Sequence, residues 1–209
     1  METQVRTWPS RLLARPWLLA FVPINAATSG FGVALPLFIL ISLHGAWVDV
    51  AVAAALFNGA VILASILWGY LSDRFPSRRK FLLFNFAGFA VLYVVIGAFP
   101  SLPLLFAAYA AVGLVAPAGA SASNLLILEK FDEAERPNAF ASFQEMSILG
   151  SMAGLLVGFV WLLDAQPLAP LLFVLAGLAA ASVAAVWFGI RESPRRLPHE
   201  TVAHHAESL

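Results

Sequence analysis

Apolar residues gather in six long runs along this chain, and polar residues gather in the short segments between them. The runs cover 18–43, 48–71, 81–99, 104–128, 139–163 and 168–190. About 20 apolar residues in a helix suffice to cross the hydrocarbon of a bilayer, so the pattern predicts an all-α membrane protein with six transmembrane helices. A basic segment precedes the bundle at 1–17, and a charged tail expected to be disordered follows it at 191–209.

Two of the runs are irregular. The first carries Pro23, Gly30, Gly32 and Pro36, with Asn25, Thr28 and Ser29 close to Gly32. The fourth carries Gly113, Pro117, Gly119, Ser121, Ser123 and Asn124. Both read as broken helices whose loosened backbone turns polar groups toward a cavity. They lie three helices apart, and three is odd, so the two triplets would insert in opposite directions. The expectation is two inverted three-helix repeats.

Composition strengthens the membrane reading. Hydrophobic residues make up 61% of the 209, and mean hydropathy is +0.86, well outside the usual range of soluble domains. The net charge is zero, yet the cations fall in four clusters: Arg6/Arg11/Arg15, Arg74/Arg78/Arg79/Lys80, Lys130/Arg136 and Arg191/Arg195/Arg196. Each borders an apolar run on the same side of the expected bundle. By the inside bias of Lys and Arg, that side is the cytosol, with both termini there, in the cytoplasmic (plasma) membrane. Trp17, Trp47, Trp68, Trp161 and Trp187 fall near run ends, as an aromatic belt requires. Cysteine is absent, which excludes disulfides and thiolate chemistry. No cofactor or metal site is expected, and the short basic clusters give no support for nucleic-acid binding. Gly119-Ala-Ser121-Ala-Ser123 is superficially similar to an intramembrane serine site. The four histidines, however, lie in turns or the tail, leaving no base within the membrane.

The densest polar stretch, Gly69-Tyr70-Leu71-Ser72-Asp73-Arg74 followed by Arg78-Arg79-Lys80, resembles the loop between helices two and three of the major facilitator superfamily. Pro76-Ser77 stands where that family has a single Gly. Glu135-Arg136-Pro137-Asn138-Ala139 is similar to the family's entry into helix five, and Arg191-Glu192-Ser193-Pro194-Arg195 to a sequence after helix six. Family members have twelve helices in two halves, so the resemblance implies the N-terminal six-helix half. It implies half of a secondary active transporter, moving a small solute by alternating access once paired with a second half or a second copy. It also implies that Gly69, Asp73, Arg74 and Arg78 form a conformational latch. Leu155 and Tyr109 depart from the family's antiporter Pro and proton-coupling Arg.

Other candidates come from the residues themselves. Glu145 is the only acid placed at depth in an apolar run, where a carboxylate pairs, takes up a proton or reaches for the interface. Asn25, Thr28, Ser29, Asn58, Asn124 and Gln144 are candidate cavity-lining residues, as a set suited to a neutral or amphipathic solute. Gly150, Gly154 and Gly158 recur at four-residue spacing, a helix-interface stripe either within this bundle or toward a partner. The competing reading is a non-transporting membrane scaffold or an inactive transporter fragment.

Overall fold

The computed structural model describes residues 16–75, 77–163 and 167–190, except the side chains of Pro16 and Asp73. Most of the expected N-terminal segment, all of the tail and Pro76 lie outside that set. Six helices are long and apolar enough to cross a membrane. They are α1 (Phe21–Leu37), α2 (Trp47–Arg74), α3 (Arg78–Ala98), α4 (Leu102–Lys130), α5 (Arg136–Leu163) and α6 (Leu168–Gly189). No strand occurs among the described residues.

α1 is extended at both ends. A 3-10 turn, Pro16–Ala20, leads into it, and a π turn, Phe38–Ser42, follows two residues after Pro36. The π turn closes on His44, the one non-glycine residue with positive φ among those described. α2 then starts at Trp47, with the Asp49 carboxylate accepting the Ala46 N–H at 2.7 Å. This places an acid at the positive end of the helix dipole.

Three expectations change. The polar stretch 69–80 is mostly helix: α2 continues through Arg74 and α3 begins at Arg78, so only residues 75–77 connect them. α4 is unbroken from Leu102 to Lys130 despite Pro117, because the lost N–H affects a single rung and a neighbouring helix donates to nearby carbonyls. Trp17 is buried rather than part of a belt, packed against Phe21 and Phe131 with the Lys130 ammonium over its ring.

The principal packed pairs are α1 with α5, α2 with α4, α3 with α6, α3 with α4, and α1 with α6. Exchanging helices 1, 2 and 3 for 4, 5 and 6 leaves this set unchanged. The two closest pairings depend on glycine. On α5, a Cβ at Gly154 would run into the backbone of Ala26 on α1, and one at Gly150 into the Val22 carbonyl. On α4, a Cβ at Gly113 would lie 2.5 Å from the Phe57 carbonyl oxygen on α2. Lipid chains are as apolar as the helices, so association relies on this backbone proximity and on van der Waals fit. Aromatic rings tie the middle of the bundle together: Phe31 stacks on Tyr93 at 4.2 Å, and Phe57 on Tyr109 at 4.7 Å.

Gly154→Ala should destabilise the purified protein by about 1–3 kcal/mol through overpacking. A Cβ at Gly177 meets nothing within 4 Å, so Gly177→Ala should instead gain roughly 0.5–1 kcal/mol of helix propensity. Thermal unfolding in detergent separates the two.

Candidate functional site

A cavity of about 280 Å³ opens between four helices. It forms because the pairs α1/α5 and α3/α4 are tightly closed, whereas α4 makes little backbone contact with α1 or α5. α1 supplies Phe21, Ile24, Asn25 and Thr28, and α3 supplies Asn85, Phe86 and Phe89. Gly119, Ala120 and Ser123 come from α4, and Phe143, Gln144 and Ser147 from α5. Asn25, Asn85, Ser123 and Gln144 lie seven to nine residues from Pro16, Arg78, Lys130 and Arg136, the ends of their helical segments on one face of the bundle. At 1.5 Å per residue they share a depth of about 10–14 Å. No charged side chain lines the cavity among the described residues.

Of the expected lining residues, Asn25, Thr28 and Gln144 are present and Ser29, Asn58 and Asn124 are absent. Ser29 follows Thr28 by one residue, which turns it about 100° around the helix. Asn124 is turned away from Ser123 by the same step and is exposed. Asn58 lies on the exposed side of α2, its amide donating to the Ala54 carbonyl at 2.7 Å. Glu145 follows the lining residue Gln144 but is not itself in the lining; it is exposed and has no ion-pair or hydrogen-bond partner among the described residues. Gly150, Gly154 and Gly158 are buried facing α1, within this bundle.

Sequence reasoning missed Asn85 and Ser147. Asn85 is buried, donates to the Val115 and Ala116 carbonyls at 2.8 and 3.3 Å, and fits the space left by the missing side chain of Gly119. Its detectable signal was depth: an Asn as far into the third run as Gln144 is into the fifth.

The basic face is organised by guanidinium groups. Arg78, 7% exposed, donates through Nε to Glu129 Oε1 at 3.0 Å and through Nη1 to the Ser72 and Phe75 carbonyls. Its Nη2 completes the salt bridge to Glu129 at 3.0 Å. Arg79 donates to the Trp187 carbonyl at 2.6 Å and lies 4.8 Å from the centre of that indole ring. Arg136 donates to the Phe131 and Leu128 carbonyls at 3.1 and 3.2 Å. Arg74 donates to the Tyr70 hydroxyl at 2.9 Å. Gly69 has open space around its Cα: an added Cβ would meet nothing within 4 Å. The latch expected at Asp73 rests on a side chain outside the described residues.

The sequence pattern of the Major Facilitator Superfamily matches residues 17–207, nearly the whole chain and all six helices. The chain belongs to the Major Facilitator Superfamily. None of the curated proteins matches it closely enough to count as a relative. As a superfamily member it is an integral membrane protein of transporter type, half-size at six helices. The cavity then lies where polar groups from four helices converge at one depth in an otherwise apolar bundle.

Arg78→Ala leaves Glu129 and two helix-end carbonyls without their donor, and should cost about 2–3 kcal/mol. Glu129 is 42% exposed, so Glu129→Gln should cost less than about 1 kcal/mol. Melting of the detergent-solubilised variants measures both.

Proposed function

We propose that this chain is one half of a secondary active transporter that moves a small solute by alternating access. A second six-helix half, or a second copy, packs against its α2 side. The observation that carries this is the contrast between helices. Half of the best apolar window of the first span is buried within the bundle, against 11% for the α2 window. The bare α2 side presents Val52, Leu56, Ile62 and Ile66 together with Asn58 and Gly59. Gly59 and Gly69 both have open surroundings, unlike the α5 glycines that α1 already fills. Small residues with nothing against them suit the close approach of another helix.

Several finer points belong to the same reading. The exchange-invariant set of packed pairs supports two inverted three-helix repeats. The Arg-rich face is assigned to the cytosol, with both termini there, in the cytoplasmic membrane. Asp73 with Gly69 and Arg74 is assigned the latch between halves on the family motif. Arg78, whose donors are engaged at helix ends and Glu129, is assigned to hold the latch region in shape. Glu145, exposed and without a described partner, is the candidate for proton or ion-pair coupling. Glu145→Gln should then flatten the pH dependence of transport.

Because the chain has no cysteine, single introduced thiols report cleanly. Ile66→Cys on α2 should cross-link to a second copy or to a distinct six-span partner in native membranes. Phe188→Cys on α6, equally exposed to lipid, should not. Solute counterflow in proteoliposomes should require the cross-linkable assembly. A strict monomer with no flux would favour the scaffold reading.

A further inference from the structure

Resting on the reading of the cavity as a solute site, we propose that its preferred occupant is an organic ammonium ion with one aromatic flank. The reason lies in where the hydrogen-bond donors of the lining go. Thr28 donates to the Asn25 carbonyl at 3.2 Å, Ser123 to the Ala120 carbonyl at 3.0 Å, and Ser147 to the Phe143 carbonyl at 2.9 Å. Asn25 gives an N–H to the Phe21 carbonyl at 2.8 Å, and Asn85 turns its amide nitrogen to two carbonyls of α4. A hydroxyl that has donated its hydrogen retains acceptor capacity, and an amide oxygen is only an acceptor. What remains for a solute is weighted toward acceptors: Asn25 Oδ1, the three hydroxyl oxygens and the Gln144 oxygen, against the second Asn25 N–H and the two N–H groups of the exposed Gln144 amide.

The walls are aromatic. Phe21, Phe86, Phe89 and Phe143 line the cavity, with Phe21 set edge-on to Phe86 and Phe143 at 5.8 and 4.9 Å. Aromatic faces attract a cation within about 6 Å of the ring centre. With no Lys, Arg or His in the lining among the described residues, an anion would lose its hydration with no counter-charge and few donors in return. A polyhydroxylated solute would leave hydroxyls unpaired against four phenyl rings. A volume of about 280 Å³ lies at the small end of ligand pockets, which start near 300 Å³, so one ring and a short amine arm suit it.

The test uses the full chain in detergent and three shape-matched probes at neutral pH: 2-phenylethylammonium, 2-phenylethanol and 3-phenylpropionate. Titration calorimetry should show the ammonium binding about tenfold more tightly than the alcohol, the scale of a desolvated cation–π contact. The carboxylate should show no saturable binding, and Ser147→Lys should reverse the order of the two ions. Equal or tighter binding of the alcohol or the carboxylate, or no saturable ammonium binding, overturns the proposal. Ammonium binding without flux in proteoliposomes sinks the transport reading and leaves the occupant standing. Flux of another solute without ammonium preference does the reverse.

Discussion

A helix that ends in or near a bilayer leaves carbonyls that need donors, and α2, α4 and α6 all end on the same face of this bundle. The solution is repeated three times. In each helix the backbone N–H of the following residue reaches back four positions, from Phe75 to Leu71, Phe131 to Ile127 and Ile190 to Val186. The next carbonyl, at Ser72, Leu128 or Trp187, receives an arginine: Arg78, Arg136 or Arg79. Two of these arginines come from the first turn of α3, where the dipole of that helix alone would disfavour them. Their stability there rests on the negative ends of neighbouring helices and, for Arg78, on Glu129.

With the ends fixed at one face, the middle of the bundle is held by backbone contact. Gly150 and Gly154 bring α5 onto α1, and Gly113 brings α4 onto α2. Such contacts leave no room for adjustment, so the pairs they join behave as units. The cavity sits between units rather than within one, which is why its lining draws on four helices and contains the polar residues. Asn85 crosses from α3 to the Pro117 region of α4 and fixes that wall. The cavity thus depends on a glycine that admits a side chain and on an amide with its hydrogens already committed.

The six spans and the basic clusters were legible because hydropathy and charge are local properties of the chain. Helix ends were less so: Arg78 and Arg79 read as part of a polar turn, since nothing in the sequence says that their charges are met by α2, α4 and α6. α4 read as broken because Pro117 and Gly119 are breakers in isolation, yet Asn85 and close packing supply what the sequence alone cannot display. Among the polar candidates, Asn25, Thr28 and Gln144 reached the cavity and Ser29, Asn58 and Asn124 did not. Polarity marks a residue as unusual in a membrane helix, but only the rotation of each helix decides where it points. The glycine stripe of α5 could be seen, while its partner, α1, is a tertiary fact.

On the cytosolic assignment proposed for the basic face, its arginines hold two offices. During insertion a cation is counted only for its charge, and lysine would serve as well. In the folded bundle the planar guanidinium joins several acceptors at once, which an ammonium on a flexible stem does less well. Moving these residues to reverse the insertion of the chain would also uncap three helices, so misorientation and misfolding would arrive together. Exchange for lysine keeps the first office and vacates the second, which makes the biogenesis of this protein separable from its assembly.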